Sequence, residues 1–326
     1  MESSDSGSSL PAHPASPRKH RADAERFRVK HWSGRQRRVG YLRQHWRGDL
    51  PLAAAVILSA ALVWGAVQAI GYASRQVPIT DYPIGSSLLW LLEVLVLIVG
   101  ALWWGTGVQR SAIDSVDRGG SMPVAALTGV VGLGAFVWVA VFWFQSARYV
   151  MPEVWATLIG SSPPATVQLD LRSNQIFLEG ALEFGSTRAV RDALDANPAV
   201  RIVRLESRGG RVAEGLALGT LLRDRSFDTF VTGECSSACV TAFAGGARRI
   251  IGQHARVGLH SAGGAGFSAD SVASANRRSD AFIAARGVDQ RVLEKGASVA
   301  NDQIWFPPPQ LLLSSGLATE FASVTR

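Results

Sequence analysis

Gly233-Glu234-Cys235-Ser236-Ser237-Ala238-Cys239-Val240-Thr241-Ala242-Phe243-Ala244-Gly245-Gly246 is the stretch that decides how the C-terminal half of this chain folds. The apolar run before it, Thr229-Phe230-Val231-Thr232, reads as a buried strand, and the Ala-rich segment after the serine pair has helical spacing. A serine on such a strand-to-helix turn exposes its hydroxyl at the top of a sheet, where the helix dipole and free backbone N–H groups favour a nucleophile. Glu206-Ser207-Arg208-Gly209-Gly210 ends one neighbouring strand, and Arg256-Val257-Gly258-Leu259-His260-Ser261 ends another. A serine, a histidine and a Gly-Gly turn at neighbouring strand ends are the components of acyl transfer.

Working outward, strands and helices alternate over the C-terminal half. Residues 166–171 and 175–180 flank Ser173-Asn174 and read as a hairpin. Helices are expected over 184–196, 212–222, 269–285, 289–296 and 307–315. Strands are expected over 200–205, then as a short pair at 248–252 and 256–260, with an edge strand at 319–323. This alternation predicts an α/β domain with a largely parallel sheet over residues 166–326, large enough to bury its own core.

The N-terminal half is different. Residues 1–49 form a basic, mostly disordered arm, with 26–48 as a basic interfacial helix. Three apolar runs follow, at about 50–72, 87–105 and 123–144, each near the ~20 residues needed to cross a bilayer and none with a polar face. The fold class is therefore an α/β domain preceded by three transmembrane helices, joined by a linker over 150–165. Eleven Lys/Arg lie in the first 50 residues, and only Arg75 lies in the loop 73–86. That bias puts the N-terminus in the cytoplasm and, after three crossings, the C-terminal domain outside it. Glu93, inside the second run, reads as a helix–helix or interfacial carboxylate, or as an ion or proton site.

Charge excludes some functions. The net +7 is concentrated in the arm, since residues 151–326 carry eighteen Lys/Arg against seventeen Asp/Glu. Nucleic-acid binding by the C-terminal domain is not expected, and the arm lacks a nucleic-acid module. No metal pattern fits Cys235 and Cys239 without histidines at ligand spacing, and no cofactor is implied. The two cysteines bracket the serine pair. They read either as a disulfide stapling the nucleophile turn, or as buried small residues, or, with Cys235 alone, as a thiol nucleophile.

Ser207-Arg208-Gly209-Gly210, Gly233-x-x-x-Ser237, Ala244-Gly245-Gly246-Ala247 and Arg256-Val257-Gly258-Leu259-His260 together resemble the core of the Clp protease proteolytic subunit, within the ClpP/crotonase superfamily. The resemblance covers about residues 166–323 and none of the membrane part. It implies a domain of repeated ββα-type units, similar to the membrane-anchored ClpP-class serine proteases. Ser237 would be the nucleophile, with Ser236 as the alternative register. His260 would be the base, with His254 the poorer candidate, and Gly210 and Ala238 would supply the oxyanion donors. Asp302 is the nearest match for the third catalytic residue, with Asp280 and Asp270 as other orienting groups. The serine–lysine branch of the superfamily would need a lysine, and the domain has only Lys295. Arg208 stands where the family usually has proline.

The three apolar runs and the Lys/Arg bias, taken with the resemblance, lead to the expectation of a multi-pass protein of the bacterial inner membrane with a periplasmic domain. Its activity would be hydrolysis of membrane-proximal peptides or proteins by a Ser–His(–Asp) mechanism, with the lipid bilayer as its other partner. The alternative is a catalytically inactive interaction or scaffold domain, in which Ser237 only caps its helix and His260 is a satisfied polar group. Acyl-CoA chemistry, from the crotonase branch, would require the domain to face the cytoplasm. The superfold commonly forms trimers, hexamers or stacked rings, so a homo-oligomer is also implied.

Overall fold

The computed structural model describes residues 40–170, 173–263 and 269–322. Most of the basic arm, residues 1–39, lies outside the described residues, as do positions 323–326. A short helix, α1 (Tyr41–Arg47), precedes three helices long and apolar enough to cross a membrane. These are α2 (Ser59–Gln76, entered through a π-helical turn at Ala54–Leu58), α3 (Pro83–Asp117) and α4 (Met122–Ile159). Fully buried His45 ties α1 to this bundle, with Nδ1 2.9 Å from Ser59 Oγ and Nε2 3.2 Å from the Trp104 carbonyl oxygen. Gly71 packs on the carboxylate of Glu93: a Cβ there would sit 3.1 Å from its Oε1 and 3.6 Å from Arg75 Nη1. Glu93 and Arg75 thus approach the same point on Gly71 near the C-terminal end of α2.

Helix α4 does not stop near residue 144. It continues through Pro152 to Ile159, so most of the expected 150–165 linker is helical. Proline normally ends a helix by removing one N–H and crowding the carbonyl four residues back. Here that carbonyl belongs to exposed Arg148, where water can supply the missing bond.

The α/β domain has seven strands: β1 (Thr166–Asp170), β2 (Gln175–Glu179), β3 (Ile202–Ser207), β4 (Asp228–Ser236), β5 (Arg249–Ile251), β6 (Arg256–Gly258) and β7 (Glu320–Phe321). They are ordered β1-β2-β3-β4-β5-β7, with β6 also on β4. The β1–β2 hairpin is antiparallel and every other pairing is parallel. Asn174, at φ 53°, makes the hairpin turn. The helices are α5 (Ser186–Ala196), α6 (Val212–Asp224), α7 (Ala238–Ala244), α8 (Ala269–Ala284), α9 (Gln290–Ala297) and α10 (Pro309–Ser314). Strands β2 and β3 alternate inward and outward residues, so Ile176, Leu178, Val203 and Leu205 are fully buried against helices such as α6, through Leu218 and Leu222.

Two details depart from the sequence expectation. Strands 248–252 and 256–260 do not pair with each other. Each lies parallel to a different half of β4: Thr229–Val231 with β5, and Glu234–Ser236 with β6. Strand β4 is consequently longer than expected, running on through Ser236. Against β3 its register slips between Leu205↔Val231 and Ser207↔Cys235, so extra β4 residues bulge around Gly233 and turn the strand toward its second partner. A Cβ on Gly233 would lie 2.7 Å from the Glu206 carboxylate, so glycine permits this approach. Of the expected ββα repeat, β1-β2-α5 has a paired hairpin, whereas β5 and β6 are unpaired with each other.

The domain also touches the bundle. Arg191 is ion-paired with Asp81 of the α2–α3 loop, and Arg188 Nη1 donates to the Asp81 carbonyl at 3.1 Å.

Candidate active site

The parallel arrangement brings the C-terminal ends of β3, β4 and β6 side by side. Ser237 is the single residue between β4 and α7, with φ 57° and ψ −128°. Such a backbone is costly for a non-glycine residue and is held here by its surroundings. The Ser237 N–H donates to the Gly258 carbonyl at 2.9 Å, and the Ser237 carbonyl accepts from Val240 N–H at 2.9 Å. Its Oγ makes no hydrogen bond among the described residues and faces a pocket shared with His260. Ser236 is different: it is fully buried, and its Oγ donates to Glu234 Oε1 at 2.9 Å. The geometry therefore favours Ser237 over Ser236 as the reactive register.

Gly209 and Gly210 end β3 in positive φ, at 102° and 145°. Gly209 packs directly on the serine, and a Cβ there would lie 2.6 Å from Ser237 Cβ. The turn is held from both sides by Leu182, whose N–H donates to the Gly209 carbonyl and whose carbonyl accepts from Arg211 N–H, both at 2.8 Å. Neither the Gly210 N–H nor the Ala238 N–H has a hydrogen-bond acceptor among the described residues. Arg211, immediately after the turn, reaches Glu183 at 2.9 Å and Glu153 of helix α4 at 2.5 Å. The Gly-Gly turn is thus anchored to the helix that emerges from the membrane bundle.

His260 follows β6, and its Nδ1 lies 3.0 Å from the backbone carbonyl oxygen of Asn301. A carbonyl can only accept, so this contact places the proton on Nδ1 and leaves Nε2 with a free lone pair. The segment after His260 is clamped: Ser261 N–H donates to the Val299 carbonyl at 3.0 Å, and Ala262 N–H donates to Asn276 Oδ1 at 2.7 Å. Asp302, the expected third residue, is exposed and has no bond to His260; the chain presents the preceding residue's carbonyl there instead. Asp270, His254 and Lys295 are also exposed and do not line the pocket. Asp280 does line it, and burial raises its carboxyl pKa. No signal in the sequence could have disclosed Asn301, because a main-chain carbonyl carries no residue signature.

Cys235 and Cys239 are bonded to each other, with Cα atoms 5.3 Å apart, and both are fully buried. Neither offers a thiol nucleophile in this state. The bond joins the end of β4 to the first turn of α7 and so closes a small ring around Ser236 and Ser237. Among the described residues no cluster of metal-ligating side chains occurs.

No family model matches the chain, and no curated protein matches it. Among solved structures it is similar to a ClpP1 mutant from Listeria monocytogenes, at 14% identity over 47% of this chain and 94% of that one, with a TM-score of 0.40. A likeness of that size says nothing about activity.

Proposed function

We propose that this chain is a membrane-anchored serine hydrolase that cleaves peptide bonds, with Ser237 as nucleophile and His260 as general base. The supporting observation is the pairing of a hydroxyl free of hydrogen bonds with a histidine in the same pocket whose Nδ1 is held by the Asn301 carbonyl. In the reaction, Ser237 Oγ adds to the substrate carbonyl carbon while His260 Nε2 takes the hydroxyl proton. The oxyanion rests on the Gly210 and Ala238 N–H groups, a donor of this kind contributing roughly 3 kcal/mol. Collapse of the tetrahedral adduct breaks the C–N bond, and the leaving amine takes the proton from His260. Water then repeats the sequence on the acyl-enzyme, releasing the acid and restoring the serine. A neutral carbonyl behind His260 stabilises the imidazolium less than a carboxylate would, so a slower enzyme than a full triad is expected.

The full chain in detergent, treated with a fluorophosphonate and read by intact mass, tests this. Wild type should gain one label at Ser237, and Ser237→Ala or His260→Ala should lower the labelling rate by about 100-fold or more. A folded wild-type protein that never labels would instead favour the scaffold reading.

We further propose that the N-terminus is cytoplasmic and the α/β domain lies outside, in a bacterial inner membrane. The Lys/Arg bias supports this, as does the disulfide, since such bonds persist in oxidising compartments. Alkaline phosphatase fused after Arg326 should be active. An inactive phosphatase with a fluorescent cytoplasmic-type reporter at the same position would overturn the orientation and reopen acyl-CoA chemistry.

A further inference from the structure

Helix α8 turns Asn276, Ser279, Asp280 and Ile283 toward the pocket beside Ser237, the i, i+3, i+4, i+7 spacing of one helix face. Two of its three polar groups are occupied. Asn276 accepts from the Ala262 N–H, and Ser279 Oγ lies 2.6 Å from Thr241 Oγ1. Asp280 is different. It is half-buried, and among the described residues it has no hydrogen-bond or ion-pair partner. Among the described residues neither lysine nor arginine lines the pocket, and Val240, Leu259, Ile283 and Leu293 form an apolar wall. The enclosed space is small, about 40 Å³, and opens to solvent at its mouth.

A partly desolvated carboxylate without a partner is unfavourable for the protein alone, and a cation brought by a ligand would relieve it. An apolar wall beside a half-buried charge at the pocket mouth suits the end of an aliphatic stem with a cationic head. We infer that this pocket binds an ammonium or guanidinium group, with Asp280 as its counter-ion. The ligand is then a peptide with lysine or arginine next to the scissile bond, an assignment that rests on Ser237 being the reacting group.

The test is a fluorescence titration of the full chain in detergent with 4-aminobenzamidine, and with 4-aminobenzamide as the neutral isostere, run beside fluorophosphonate labelling. Wild type should bind the cation about tenfold or more tightly than the neutral compound. Asp280→Asn should erase that preference and melt no lower than wild type, because it removes an unpaired charge. Equal binding of the two compounds by wild type would overturn the inference. So would an Asp280→Asn variant that still prefers the cation, or one that loses labelling but not cation binding, which would make Asp280 a positioning residue for His260. Cation binding that depends on Asp280 in a chain whose serine never labels would uphold the pocket and remove the hydrolase reading. A labelling serine with no cation preference would do the reverse.

Discussion

Gly209→Ala is expected to abolish fluorophosphonate labelling and to destabilise the α/β domain by about 3 kcal/mol. Two independent penalties meet at this position. The backbone has φ 102°, where an L side chain is strained by about 1–3 kcal/mol. The new Cβ would also lie 2.6 Å from Ser237 Cβ, 2.8 Å from the Ser236 carbonyl oxygen and 3.1 Å from Ser237 Oγ. None of these can yield cheaply. Ser236 is paired with Gly258 across β4 and β6, and Ser237 N–H is bonded to the Gly258 carbonyl. Relief must therefore come from the Gly209–Gly210 turn, which moves the Gly210 N–H away from the position required of an oxyanion donor. Gly40→Ala, where nothing lies within 4 Å, is the control and should leave both readouts unchanged. Thermal denaturation in detergent and the labelling rate are the measurements; a Gly209→Ala protein that labels at the wild-type rate would show that the turn takes no part in the reaction.

Glu214→Ala should produce a comparable loss, about 3 kcal/mol or more, through a side chain that takes no part in the proposed reaction. Glu214 lies in the first turn of α6 and is fully buried. Its side chain reaches the start of a different helix, α5, accepting from Gly185 N–H at 2.9 Å, Thr187 N–H at 2.8 Å and Thr187 Oγ1 at 2.5 Å. It serves as the missing side-chain cap of α5, whose own N-cap residue is Gly185. Truncation leaves the Gly185 and Thr187 N–H groups without acceptors, each costing about 1–3 kcal/mol, while the Thr187 hydroxyl keeps only the residue-214 carbonyl at 3.3 Å.

The pH dependence of this site has a definite sign. Burial raises the Glu214 pKa above the ordinary glutamate value, against the opposing effect of the Thr187 and Gly185 hydrogen bonds. The folded state then holds its proton to higher pH than the unfolded chain does. Between the ordinary glutamate value and the raised folded value, the native state binds more protons, so stability falls as pH rises through that window. Glu214→Gln should remove that slope while losing less stability than alanine. Denaturation midpoints measured across the acidic range decide the matter; a variant with an unchanged slope would assign it to another group, Asp280 being the next candidate because burial raises it too.

Several features were settled by the sequence alone. Uncharged apolar runs of membrane-spanning length determine three long helices, because hydrophobic length is a property of consecutive residues. Alternation on either side of Ser173-Asn174 determines the β1–β2 hairpin, and the switch from apolar run to small residues places Ser237 at a strand–helix junction. The tertiary structure decided the rest. It gave β4 two successive parallel partners, carried α4 through Pro152, put the Asn301 carbonyl rather than Asp302 on His260, left Asp280 unpaired beside Ser237, and assigned Glu214 of one helix to cap another. Glu214 meets Thr187 across 27 positions of chain and Asn301 meets His260 across 41, the latter through a main-chain atom common to every residue. Periodicity and spacing report which face of an element is buried. They do not report what lies against it, because the partner is selected by packing in three dimensions.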